Sequence, residues 1–335
     1  MTIEHEVINH VGSEPPEFAG GYRLQRAHFE PARVPDEVLR YDEAMGDLDV
    51  GSPGKVGIMQ LEFAKGEHRT ELAHHYQKSP LQIMRPLYYD ELRPDMPYTF
   101  LMSTGGGVLQ GDRLRTDLTF GPGSSAHVTT QAHTRIYKME RNYATAIVNL
   151  VVGAGAYVEY MPDPVIPFAR SRYYQHTRVE LDPTATLIVS ETVYAGRLAR
   201  DERHHYDVFA SDFEVFRPDG SLVALDKVRL VPGDGGVEGL AMLDGRDVLS
   251  MLYVFTPLVP AQELADSLHE LLAELTDTTA QDDPLFGVSV LPGDVGVWVR
   301  ALGNDTIAMA RRTAALWSFI HERVTGLAAP AIRKT

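Results

Sequence analysis

Between residues 101 and 138 the chain reads LMSTGGGVLQGDRLRTDLTFGPGSSAHVTTQAHTRIYK, and this stretch holds the residue types and spacings that come nearest to chemistry. Gly105, Gly106 and Gly107 let the backbone take positive φ or approach another group closely, as a turn or a binding loop requires. Gly106 and Gly111 have the spacing of the two glycines of a phosphate-binding P-loop. Asp112 and Arg113 then follow where Lys and Ser or Thr would hold phosphate and magnesium, and a carboxylate there repels phosphate. The dinucleotide pattern also fails, because Gln110 stands where its third glycine belongs. Asp112 has two readings. One is an Asx turn in which the carboxylate accepts a local backbone N–H; the other is a transient oxygen ligand for a cation beside a glycine loop.

Thirteen histidines and no cysteine set the remaining metal chemistry. Without thiols there are no disulfides, thiolate sites or cysteine nucleophiles, which fits a reducing compartment. Any metal must be held by imidazole, carboxylate, carbonyl or water. The adjacent pairs His74-His75 and His204-His205 point to opposite faces of any strand and read as surface residues. His127 and His133 share a strand face, but six residues separate them by about 20 Å, so each can serve only a separate site built with other strands. No G-x-S-x-G elbow, H-E-x-x-H helix or EF-hand loop is present. The formal net charge of -15 opposes a nucleic-acid partner. No apolar run reaches the ~18 residues of a membrane span, and the acidic start MTIEHEVINHVGSEPPEF lacks the basic-then-apolar order of a signal peptide. The expectation is a cytoplasmic protein with no membrane or nucleic-acid partner.

The elements that must position these residues are mostly strands. PGSSAHVTT from Pro122, AGAYVEY from Ala154 and PTATLIVSE from Pro183 recur at roughly thirty-residue spacing, each a small-residue turn feeding an alternating strand. Alternation puts His127, Thr129, Gln131, His133 and Arg135 on one face, and Val128, Thr130, Ala132, Thr134 and Ile136 on the other, the better core candidate. Val56 to Ala64 and Glu67 to Tyr76 read as two strands, the apolar stretch from Val248 as a buried strand, and Ser289 to Leu302 as a hairpin around Pro292-Gly293-Asp294. Only two helices stand out. One opens at Pro260 with a stripe of Leu264, Leu268, Leu271 and Leu275; the other runs from a capping Asp305 to Gly326. The fold class is mainly β, an elongated stack of layered strands with two C-terminal α-helices. Residues 1–54 are proline-rich and acidic, with a short helix around Asp36 to Met45, and read as an extension to a single domain over 55–335.

The stretch from Leu101 resembles the signature of the UreD (UreH) urease accessory family, in which Gly-Gly-x-x-x-Gly-Asp-x-Leu precedes a Gly-Pro-Gly turn and a Thr-Thr-Gln strand. SPLQIMRPLYYD at 79–90, MPDPVIPFARSRYYQHTRVEL at 161–181, AGRLARDE at 195–202 and VLPGDVGVWVRALG at 290–303 follow the family in the same order, over roughly residues 56–335. The departures are Ser103-Thr104, Gln110, and Pro164, which stands where many relatives carry an acid. The resemblance implies a β-dominated, non-enzymatic maturation factor. It would bind apo-urease and a UreF-like accessory protein, which recruits a UreG-like GTPase, and together they would insert nickel into urease.

Nickel would then be transient cargo, with no tightly bound cofactor. The resemblance marks Asp112 and Glu191 as candidates to line its route, with Asp163 as a substitute acid and His127 and His133 as further candidates. Glu191 also reads as a strand-end charge paired with Arg197 or Arg200. Two other classes remain open from the residues alone: a β-fold metal-dependent hydrolase with Asp112 as base, and a β-rich interaction module without a metal role.

Overall fold

The computed structural model describes residues 26–43, 54–276 and 284–332. A 3-10 turn (Arg26–Phe29) and the one-turn helix α1 (Asp36–Leu39) precede the hairpin β1 (Val56–Lys65) and β2 (Thr70–Lys78). There follow β3 (Leu81–Gln82), β4 (Tyr98–Ser103), β5 (Arg113–Phe120), β6 (Ser125–Thr130), β7 (Thr134–Ile136), β8 (Ala144–Val152) and β9 (Tyr157–Tyr160). Then come β10 (Val165–Pro167), β11 (Arg172–Leu181), β12 (Thr186–Tyr194), β13 (Val208–Phe216), β14 (Leu222–Leu230) and β15 (Val248–Phe255). Helix α2 (Ala261–Leu275), the hairpin β16 (Leu285–Val290) and β17 (Gly296–Gly303), and helix α3 (Thr306–Thr325) complete the described chain.

The recurring turn-and-strand units become the coils of a layered β stack. Strands β5, β8, β11 and β13 lie parallel in one sheet, ordered β14-β13-β11-β8-β5-β1-β2. Their successors β6, β9 and β12 lie parallel in the second, ordered β16-β17-β15-β12-β9-β6-β4-β3. Each coil crosses from one sheet to the other through a tight turn, so equivalent positions stack. Phe120 pairs with Val152 and Val152 with Leu181; beyond the turn, Ser125 pairs with Tyr157 and Tyr157 with Thr186. Gly123 and Gly155 take positive φ in the first two turns, which only glycine adopts without strain. In the third, Asp182 Oδ1 accepts from the N–H and hydroxyl of Thr184 instead.

Three apolar layers result. The largest lies between the sheets and includes Phe63, Phe120, Val128, Leu150, Val179, Leu187, Phe209 and Phe255. A second lies where α2 and α3 cover the outer face of the second sheet, with Leu264 and Leu268 of the expected stripe, joined by Leu272, meeting Ile188, Val254, Leu316 and Ile320, while Leu271 is only half-buried and Leu275 is exposed. A third forms on the outer face of the first sheet, where Val38 of α1 meets Tyr143, Tyr174, Val208 and Ala210. Asp305 caps α3 by accepting the N–H groups of Ile307 and Ala308, and Gly326 closes it at positive φ. Both helices therefore stand as the capping signals indicated.

Two local readings change. The strand expected to run on through residues 131–133 breaks there, separating β6 from β7. Val128 and Ile136 do enter the core, but His127, on the opposite face, is buried too, because α3 covers that face. His74 and His75 are exposed as expected, whereas His204 is buried beside Tyr206, and burial drops its pKa to about 4.

Candidate functional site

Alternation along β12 sends Glu191 into the space between the sheets while Ser190 and Thr192 face α3. The Glu191 carboxylate accepts from Ser211 Oγ of β13 at 2.7 and 3.0 Å and from Gln175 Nε2 of β11 at 3.1 Å. None of these partners is cationic. The side chain does not pair with Arg197, which binds Glu202 instead. Burial pushes the Glu191 carboxyl up to about 7, against the lowering effect of the Ser211 hydrogen bond and with added repulsion from Asp226 and Asp212. A buried carboxylate with no cation beside it is stable only once neutralised, by a proton or by an arriving cation.

Gln175 also lines a cavity of about 290 Å³ between the sheets, with Tyr160 and Tyr173 on its inner wall. At its mouth stand exposed Ser103, Gly106, Gln131, Ala132 and His133. Gly107 is required there, since a Cβ would lie 2.4 Å from the Tyr137 ring and 2.6 Å from the Arg135 carbonyl oxygen. The glycine loop thus shapes the entrance to a cavity that ends at the amide holding Glu191.

Asp112 does something else. Its Oδ1 accepts from the backbone N–H groups of Lys55 and Gly54, and its Oδ2 from that of Leu109. Burial raises its pKa and these three bonds oppose the rise. Both oxygens are engaged in tying the glycine loop to the start of β1, so this carboxylate is poorly placed to act as a hydrolytic base. Arg113, almost fully buried, donates to the carbonyls of Asp112 and Tyr143 and pairs with Glu30.

His127 and Asp163 lie on the other side of the second sheet, lining an open cleft of about 690 Å³ against α3 with Trp317, Met309 and Thr313. His127 Nδ1 donates to Glu159 Oε2 at 2.6 Å. The other oxygen, Oε1, accepts from His321 Nδ1 of α3 at 2.7 Å and Tyr157 Oη at 2.5 Å. Burial alone would raise Glu159, but the bonds from His127 and His321 outweigh it and hold the carboxyl well below the usual range. The arrangement fastens α3 to the sheet. His133, by contrast, belongs to the cavity mouth, in ring contact with Tyr194.

The five sequence candidates therefore fall into separate places: His133 at the mouth of the inner cavity, Glu191 behind Gln175 of its wall, His127 and Asp163 in the outer cleft, and Asp112 at the loop anchor. Among the described residues no three His, Asp or Glu side chains gather as a metal cage, and no helix is long and apolar enough to cross a membrane. Gln175, Ser211, Glu159 and His321 were not singled out from sequence. Glu159 had a usable signal, since it sits 32 residues after His127, one coil of the repeat. His321 had none, because helix docking alone brings it there.

The chain matches the family described as UreD urease accessory protein over residues 55–334. It is 50% identical over 289 residues to urease accessory protein UreD 2 of Streptomyces griseus, covering 86% of this chain and 96% of that protein. It is 35% identical over 296 residues to urease accessory protein UreD 2 of Brucella suis (88% and 96% covered). It is 35% identical over 290 residues to urease accessory protein UreD of Cenarchaeum symbiosum (87% and 100% covered). On a family match across five-sixths of its length and on relatives covered nearly end to end, the chain belongs to the UreD family of urease accessory proteins.

Proposed function

We propose that this chain acts in urease maturation as a non-enzymatic carrier that holds a hydrated nickel ion in transit through the space between its sheets. The observation that carries the reading is Glu191: a buried carboxylate, bonded only to an amide and a hydroxyl, one hydrogen bond behind Gln175 in the wall of a cavity open to the surface. Oxygen ligands without thiolate or a histidine cage hold nickel loosely, as a carrier that must release its cargo requires. The path runs from His133 and the glycine loop past Tyr160, Tyr173 and Gln175 to Glu191. The chain would work in the cytoplasm, bound to apo-urease and to a UreF-like protein through which a UreG-like GTPase couples GTP hydrolysis to delivery.

The test is Glu191→Gln, which keeps the shape and most hydrogen bonds but removes the charge. Nickel per urease active site, measured after co-expression with the accessory proteins, should fall several-fold while the variant still co-purifies with its partners. Full nickel content with the substituted protein would remove Glu191 from the route.

A further inference from the structure

Beyond Glu191 a row of side chains continues across the second sheet through the buried Met251. Strand pairing sets Glu191 opposite Met251 of β15, and Met251 opposite Arg300 of β17, in one row across the second sheet. The Arg300 guanidinium lies 3.7 Å from Met251 Sδ and 2.6 Å from the Asp226 carboxylate, which reaches across from β14 of the first sheet. Tyr253 Oη donates to the same Asp226 oxygen at 2.5 Å. Asp226 is close enough to Glu191 to raise its pKa by charge repulsion. The Arg300 and Asp226 side chains are 37% and 22% exposed, so this row emerges at the surface between the two sheets, away from the glycine-loop mouth.

Two features mark Arg300 as more than a rim ion pair. Its Nε is buried without a hydrogen-bond partner, and its guanidinium lies 4.6 Å from the Trp298 ring on the same strand face. It is held by a carboxylate, a thioether and an aromatic face, and one of its donors is left unsatisfied. A cation sits at the end of a row of otherwise anionic or neutral groups, on the carboxylate that a divalent ion leaving Glu191 would meet next.

We propose that Arg300 is a tethered plug: its guanidinium occupies the Asp226 carboxylate and closes the second end of the path, so that a divalent cation passes only when Arg300 swings away. The proposal rests on the reading of Glu191 as a nickel stop, and it adds the exit and the residue that controls it. Removing a unit charge within a few ångströms of a partly buried carboxylate has a large effect on a competing cation, because Coulomb energies there greatly exceed those in bulk water.

The experiment uses the full chain and Ni²⁺ alone as probe. In a Trp317→Phe background Trp298 is the sole tryptophan, and its quenching by Ni²⁺ reports occupancy beside Arg300. Arg300→Gln should bind Ni²⁺ at least tenfold more tightly at this end, with matching quenching. Arg300→Lys should stay near wild type, and Arg300→Gln combined with Asp226→Asn should lose the gain. Arg300→Leu carries the same expectation should the Gln variant fail to fold. Unchanged Ni²⁺ quenching in a folded Arg300→Gln or Arg300→Leu protein overturns the plug, as does a gain that survives Asp226→Asn. A separate failure of Glu191→Gln to lower urease nickel, with the Arg300→Gln gain intact, would remove the inner stop and leave the plug standing.

Discussion

Glu191 is a polar residue placed where only neutral groups are comfortable, and its proton follows from that. Burial pushes it from its ordinary 4.5 to about 7, so the folded chain keeps a proton over a range in which the unfolded chain has released it. The folded state binds more protons there. Its contribution to stability is thus fully present below about pH 4.5 and is lost as pH rises through about 7. The swing is on the order of 3 kcal/mol at 1.36 kcal/mol per pKa unit. Glu191→Gln abolishes it, so urea titrations should find the substituted protein gaining on the native one between pH 5 and pH 8. A stability difference independent of pH would mean that Glu191 is ionised throughout. By the same linkage nickel bound there as proposed would displace a proton, and its affinity should rise with pH.

At the scale of elements, residues 26–43, ahead of β1, are part of the packing. The 3-10 turn ending at Phe29 rests on β5, Phe29 and Val38 are fully buried, and Glu30 pairs with the buried Arg113. Arg172 stacks on Tyr41 at 4.3 Å, adding a second link to the first sheet. Phe29→Ala should therefore cost about 3 kcal/mol, the range for emptying a buried aromatic site. A change under 1 kcal/mol in chemical denaturation would mean that the turn rests on the sheet without stabilising it. Helix α3 is attached differently, by an apolar stripe plus the Glu159 hub, whose two histidines come from β6 and from the helix itself.

For the whole molecule, the stack of parallel coils determines where space is left between the sheets. Equivalent residues align coil on coil, so small and polar residues at a few positions open a cavity while the large apolar residues around them keep the rest closed. Ala132 sits exposed at the mouth, where a larger side chain can be added without disturbing the core. Ala132→Trp should leave thermal stability and partner binding unchanged and lower urease nickel content several-fold by obstructing the entrance. Normal nickel loading through a demonstrably blocked mouth would point to a different way in.

The strands, the two C-terminal helices with their caps, and the β hairpins were legible in the sequence, because alternation, helical stripes and turn residues are local signals within one element. The thirty-residue recurrence carried the coil repeat, although Glu159, which the repeat sets opposite His127, was not singled out from it. The motifs identified the family. What the sequence left undetermined was which of two buried faces each polar residue would meet. His127 and Glu191 sit on similar alternating strands, yet one is held under α3 and the other faces the first sheet. Asp112 read either as a local turn former or as a ligand beside a glycine loop; one oxygen does accept the local Leu109 N–H, but the other is taken up by the backbone of residues 54 and 55, far away in sequence. Gln175, Ser211, Asp226 and Arg300 gain their contacts only through register across two sheets, since contacts between coils depend on which residues stack and no local pattern encodes that.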